Sequence, residues 1–149
     1  MDRTTIITLW NDAWERGHGY APWKSMLDGV TPAMAAWRPA PDRRSIWGHV
    51  SHLCFWRDAI IAGARSLPMP DQAEITRSNF AAPASVADAT PLAWDQLVKR
   101  LARSQTDVAQ MYADPSAALD WMWGLVCHDS YHVGQIMLLR ALQGMKPLM

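Results

Sequence analysis

Four histidines stand at spacings from which two helices could present them to one metal ion. His128 and His132 are four residues apart, so on a helix they lie one turn apart on the same face, with about 5 to 6 Å between their Cβ atoms. Two imidazoles placed in this way can bind one ion, although two core histidines with separate hydrogen-bond partners are an alternative that the spacing leaves open. A third ligand must come from a facing helix. His49 and His52, three residues apart, are the candidates.

The pair His128 and His132 interrupts an apolar stripe. The stripe alternates steps of four and three residues, which is typical of a helix face that points into a core; it consists of Trp121, Leu125, His128, His132, Gln135, Leu139 and Leu142. At its centre, where packing alone would favour Leu or Ile, stand two histidines and Gln135. We interpret Gln135 either as a hydrogen-bond partner for a water on the metal, which would support catalysis, or as a buried amide that fixes helix pairing.

Apolar periodicity and capping signals predict four main helices that would carry these residues. The first runs from Thr5 to Gly17, the second from Ser45 as N-cap and Ile46 to about Arg65, the third begins at Thr90-Pro91, and the fourth runs from Asp114-Pro115 to Gly144. The stretch from Leu67 to Ala89 has no clear period, so we expect a long connection that covers one end of the bundle. With no strand pattern and no internal repeat, the sequence predicts an all-α four-helix bundle as a single domain over residues 1–149.

Composition limits the classes of partner. Fourteen basic residues balance fourteen acidic ones, which gives no electrostatic reason to expect nucleic acid or a membrane surface. The first residues form no continuous apolar h-region, and no run of about 20 apolar residues occurs, so we expect a cytoplasmic protein whose partner is a small molecule or another protein. Nine tryptophans favour a pocket or a homodimer interface. The two cysteines, Cys54 and Cys127, are expected to be reduced core thiols.

Two segments resemble a known family. Residues 45–58 (SIWGHVSHLCFWRD) and 128–136 (HDSYHVGQI) look like the two signatures of the DinB-like (DinB/YfiT) superfamily of metal-binding four-helix-bundle proteins, and their order and separation match as well. The resemblance implies that one histidine of the second helix and both histidines of the last helix bind the metal. These positions map onto His52, His128 and His132. His49 falls where the family usually has no ligand, so it is an alternative ligand, a hydrogen-bond partner of one, or a packing residue.

Three neutral imidazoles suit Zn, Ni or Fe, and an open fourth position is typical of a catalytic site. A water bound there would be acidified, and a thiol would be deprotonated. The resemblance implies transfer or removal of groups with low-molecular-weight thiols in some members, so we expect a metal-dependent enzyme of the thiol transferase or hydrolase type. The alternatives are a non-catalytic dimer stabilised by its metal and a bundle that holds no metal.

Several charged and polar neighbours have two interpretations each. Asp58 and Asp129 could accept hydrogen bonds from the imidazoles, but such carboxylates more often lie at a solvated face, and Asp129 is turned about 100° away from the residue before it. Arg57 or Arg140 could anchor the carboxylates of a thiol cofactor. Tyr131 could line a pocket or an interface.

Overall fold

The computed structural model describes residues 2–17, 21–117 and 123–148. All regular elements in these ranges are helical, which confirms the predicted all-α bundle. The helices are α1 (Arg3–Glu15), α2 (Pro32–Ala36), α3 (Ile46–Ala64), α4 (Gln72–Ser78), α5 (Pro91–Ala113) and α6 (Trp123–Leu142), with single 3₁₀ turns at Trp23–Ser25 and Val86–Asp88. None of the helices in these ranges has the length and apolar character needed to cross a membrane.

The four long helices, α1, α3, α5 and α6, form the bundle. Helix α3 lies against α5 and α6, and α1 packs on the same two helices. Thirteen of the 19 residues of α3 are buried, because the helix is apolar around most of its circumference and α2 and α4 cover sides that the other long helices leave open. The histidines on α3, His49 and His52, therefore lie in a largely buried part of the fold.

Capping residues fix where the long helices begin and end. The Ser45 hydroxyl accepts a hydrogen bond from the backbone N–H of Gly48 at 3.1 Å, and the Thr90 hydroxyl does the same for Ala93 at 3.3 Å. Both N-caps were predicted, because a side-chain oxygen satisfies a backbone donor that has no partner within the helix. Gly144, which follows α6, has a φ of +73°, a conformation that glycine adopts without steric cost.

The long connection predicted from Leu67 to Ala89 is present between α3 and α5, and it contains α4 and a 3₁₀ turn. Helix α4 was not predicted, because it has no buried residue and so no apolar period. Two predictions about the last helix were wrong. Asp114 does not begin the last helix: its carboxylate accepts from the backbone N–H of Ser116, and the described part of α6 begins at Trp123. Leu142 is 56% exposed rather than part of the core-facing stripe. Trp121 lies outside the described residues.

The core of the bundle includes a buried charge. Trp10 packs edge-on against Trp23, with ring centroids 5.3 Å apart, and both indoles are almost fully buried. The guanidinium of Arg57, on α3, lies over the Trp10 ring at 4.8 Å and is itself 0% exposed. A charge at this depth needs a paired partner. The partner of Arg57 is Asp129, which also contacts His128.

Candidate metal centre

Helices α3 and α6 bring together the three histidines that the sequence singled out. Each of His52, His128 and His132 offers one nitrogen, and these atoms lie within 4.8 Å of one another, so the group could hold a metal ion. The Nε2 atoms of His52 and His128 are 2.9 Å apart. The ring centroid of His132 is 4.2 Å from that of His52 and 4.6 Å from that of His128.

Asp129 fixes the proton on His128. Its Oδ1 lies 2.8 Å from Nδ1 of His128, and its Oδ2 accepts from Nε of Arg57 at 2.7 Å. A carboxylate paired with an arginine is an acceptor, so Nδ1–H of His128 donates to it and Nε2 keeps its lone pair. Asp129 is 0% exposed, which corrects the expectation of a solvated carboxylate, because the buried guanidinium of Arg57 draws the side chain inwards.

Asn79 does the same for His52. The residue follows α4, and its Oδ1 is the hydrogen-bond partner of Nδ1 of His52. An amide oxygen only accepts, so Nδ1–H of His52 donates and its Nε2 also keeps a lone pair. The two facing Nε2 atoms, 2.9 Å apart, are then both acceptors. Two lone pairs that face each other at this distance repel, and a bound cation would remove that repulsion. Imidazole nitrogens are donors that suit Zn, Ni and Fe.

His49 lies beside the group and contacts His132. The Nδ1 atoms of the two rings are 3.0 Å apart, so one of them carries the proton that the other accepts. With His132 as the donor, its Nε2 is left free to bind an ion and His49 supplies the acceptor. Each of the three histidines then has an acceptor at its Nδ1, the arrangement in which residues behind a metal site orient its ligands.

Burial favours the neutral form of three imidazoles, those of His49, His52 and His132. It lowers the pKa of His49 and His52 to about 4 and that of His132 to about 3, with neighbouring histidines contributing in the same direction. The positive charge of Arg44 also lowers the pKa of His49 and His52. Near neutral pH the rings therefore carry lone pairs for which a metal ion does not have to compete with protons.

Phe80 covers the cluster. Its ring stacks on that of His52 with centroids 3.9 Å apart, and the Arg44 guanidinium lies over it at 4.7 Å. Phe80 has a φ of +58°, a left-handed conformation that costs a residue with a Cβ about 1–2 kcal/mol. Sequence reasoning missed Phe80 and Asn79, since both lie in the stretch without apolar period; the only signal was the expectation that this stretch covers one end of the bundle.

Two cavities, of about 590 and 600 Å³, meet at the histidines. Their described walls share Tyr131 and His132. The first cavity, of about 590 Å³, is also lined by Pro39, Ala40, Asp42, Arg43, Arg44, His49, Phe80, Gln135, Leu138, Leu139 and Leu142. The second cavity, of about 600 Å³, is also lined by His52, Trp56, Ile60, Gly124, Leu125 and His128. The first cavity therefore has charged residues in part of its wall, whereas the described wall of the second cavity is mainly apolar apart from its histidines. Gln135, half-buried, faces the first of them beside His132.

The two arginines predicted as anchors for a thiol cofactor are used elsewhere. Arg57 is committed to Asp129 in the core. Arg140 is 3% exposed, and its guanidinium donates to the backbone carbonyl oxygens of Met26 and Asp28. Neither lines the described walls of the two cavities.

Asp58 and the cysteines complete the set of predicted neighbours. Asp58 is exposed and pairs with Arg100, as expected for a carboxylate at a solvated face. Cys54 is 0% exposed, and burial raises its pKa to about 11, which confirms an inert core thiol. Cys127 is exposed, so its prediction as a core thiol was wrong; the residue is on the outer side of α6, next to His128 but pointing away from the core.

An all-helical bundle in which three histidines of two long helices could hold one metal ion defines a recognisable class of protein. A family model described as the DinB superfamily matches residues 22–136, and the chain therefore belongs to the DinB superfamily. This confirms the resemblance seen in the two histidine segments. Searches of curated proteins and of solved structures gave no match at the significance we required.

Proposed function

We propose that the protein binds one divalent metal ion on His52, His128 and His132 and is a metal-dependent enzyme that acts on a small molecule. The observation that carries this proposal is the pair of Nε2 atoms of His52 and His128, 2.9 Å apart. With their Nδ1–H groups donating to Asn79 and Asp129, both facing nitrogens are acceptors, and a cation bound between them would remove their repulsion.

Protein groups around the site have defined tasks in this proposal. Asp129 makes His128 a stronger ligand by accepting its Nδ1–H, and Asn79 holds the His52 ring in place by the same kind of bond. His49 accepts a hydrogen bond from Nδ1–H of His132, which leaves Nε2 of that ring free. Phe80 shields the cluster from water on the side of α4, so that electrostatic interactions there are strengthened.

The reaction type that fits best is thiol transfer or hydrolysis. Three neutral nitrogen ligands leave coordination positions open, and a divalent ion supplies Lewis acidity that lowers the pKa of a water or thiol bound to it. The cavities beside His132 are large enough for a small molecule, since ligand sites usually enclose about 300–1,000 Å³. Gln135, in the wall of one cavity, is placed to contact a substrate there.

Activity assays test this proposal. Metal-free protein and protein loaded with Zn, Ni or Fe would be assayed against a panel of thiol adducts, low-molecular-weight thiols and small esters. We expect turnover only in a loaded form, lost in His132→Ala and retained in Asp58→Asn, whose exposed carboxylate lies outside the site. Equal inactivity of loaded and metal-free protein across the panel would remove the enzymatic part of the proposal.

A second candidate is a non-catalytic homodimer whose metal ties α3 to α6. The observation in its favour is the set of large exposed apolar residues on α6, namely Tyr131 (62%), Leu138 (53%) and Leu142 (56%), since exposed apolar patches often mark interaction surfaces. This candidate requires a dimer in sedimentation experiments, a large loss of melting temperature on chelation, and no turnover with any loaded metal. A monomer with metal-dependent turnover would exclude it.

A further inference from the structure

The first cavity is lined by positive charge that is not part of the proposed metal site. Arg43 and Arg44 line it together with a single carboxylate, Asp42, which lies 3.8 Å from Nε of Arg43. Within the described chain, Arg44 has no carboxylate within 4.0 Å and rests instead on the ring of Phe80. The rim of the cavity therefore has one net positive charge, and Arg44 holds the guanidinium that is not paired.

The second cavity has the opposite character. The described residues in its wall include Trp56, Ile60 and Leu125 but no Asp, Glu, Lys or Arg. Tyr131 and His132 are part of both walls, so the two cavities adjoin at these residues. A ligand that lay across them would have the arginines at one end and the apolar side chains at the other.

We propose that the substrate of this site is a small organic carboxylate, whose anionic end binds at Arg44 and whose apolar part lies against Trp56 and Ile60. The inference rests on the proposed function, in that it names the substrate class of the same site. A monoanion matches the one net positive charge of the rim, and a guanidinium is the cation best suited to a carboxylate because it can donate two parallel hydrogen bonds. The fixed position of Arg44 over Phe80 lowers the conformational cost of that contact.

The test uses 3-phenylpropionate and 3-phenylpropan-1-ol, which share a ring and a chain length and differ in the carboxylate. Each is titrated by NMR into metal-free and zinc-loaded full-length protein. We expect the acid to bind about fivefold more tightly than the alcohol, as is reasonable for one partly exposed charge contact. Arg44→Gln should abolish this preference. Arg38→Gln, which removes an exposed guanidinium from outside the described walls of both cavities, should retain it.

Each outcome decides the inference. Equal affinities of acid and alcohol for the wild type, no binding of either, or a preference that survives in Arg44→Gln would overturn it. A preference that appears only with zinc and persists in Arg44→Gln would show that the carboxylate binds the ion, which also overturns it. Failure of the proposed function is distinguishable, because it appears as absent zinc uptake or absent turnover, while the arginine-dependent preference is read in metal-free protein.

Discussion

Asp129 accepts a hydrogen bond from Nδ1 of His128, the residue directly before it in α6, at 2.8 Å. Side chains of adjacent helical residues normally diverge by about 100°, so this contact depends on a third group. Arg57 holds the other carboxylate oxygen at 2.7 Å in the core. One buried ion pair thereby connects the packing of α3 and α6 to the orientation of a candidate metal ligand.

Asp129→Asn should therefore affect both stability and metal binding. The substitution leaves Arg57 as a buried charge without a counter-charge, and we expect a loss of about 3 kcal/mol in the free energy of unfolding. It also gives His128 a weaker acceptor, so metal affinity should fall by about 10-fold or more. Urea denaturation of metal-free protein and chelator competition measure the two effects.

The matched control is Asp58→Asn, which removes a carboxylate of α3 that pairs with Arg100 at the surface. An exposed pair contributes less than about 1 kcal/mol, and the metal affinity should not change. If Asp129→Asn were as mild as this control in both measurements, the link between the core ion pair and the site would be wrong.

Asn79 provides a second test of how the ligands are oriented. Asn79→Ala removes the acceptor of Nδ1–H of His52, and we expect metal affinity to fall by about 10-fold. Little change in the free energy of unfolding is expected, because α4 has no buried residue. Asn79→Asp keeps an acceptor oxygen at the same place and should restore most of the affinity. Chelator competition on the three proteins would contradict this role if alanine and aspartate gave the same value.

The two cysteines should differ in reactivity. Cys127 is exposed, whereas Cys54 is 0% exposed in the core, so a maleimide should label one thiol per folded chain. Cys127→Ser should abolish the labelling, and Cys54→Ser should leave it unchanged. Mass spectrometry of the labelled protein counts the adducts. Rapid labelling of Cys54 in the folded wild type would contradict the tight packing of α3 around this thiol.

The sequence was most informative where spacing and burial act together. The four-residue step between His128 and His132 places both rings on one face of any helix, and the resemblance of residues 45–58 to the family signature selected His52 from the two histidines of α3. Ser45 and Thr90 were recognisable because a capping hydroxyl has a local, sequence-readable effect.

Contacts between residues far apart in the chain could not be predicted from the sequence. Asn79 and Phe80 reach the histidines from a segment without period, and their role follows only from where the chain returns to the bundle. The inward turn of Asp129 depends on Arg57, 72 residues away, and the exposed side of Cys127 depends on how α6 is rotated against α3. Such features require knowledge of which helices meet, and at which angle.

The central claim is that His52, His128 and His132 hold one metal ion, and metal content per chain measures it most directly. Elemental analysis would be made on protein purified without a histidine tag, for the wild type, His52→Ala and His132→Ala, with Asp58→Asn as the control that changes a polar side chain of α3 outside the site. We expect about one ion per chain in the wild type and in Asp58→Asn, and loss of most of it in the two histidine variants. A wild type that contains no metal after mild purification, and takes up neither Zn, Ni nor Fe when these are added, would contradict the claim.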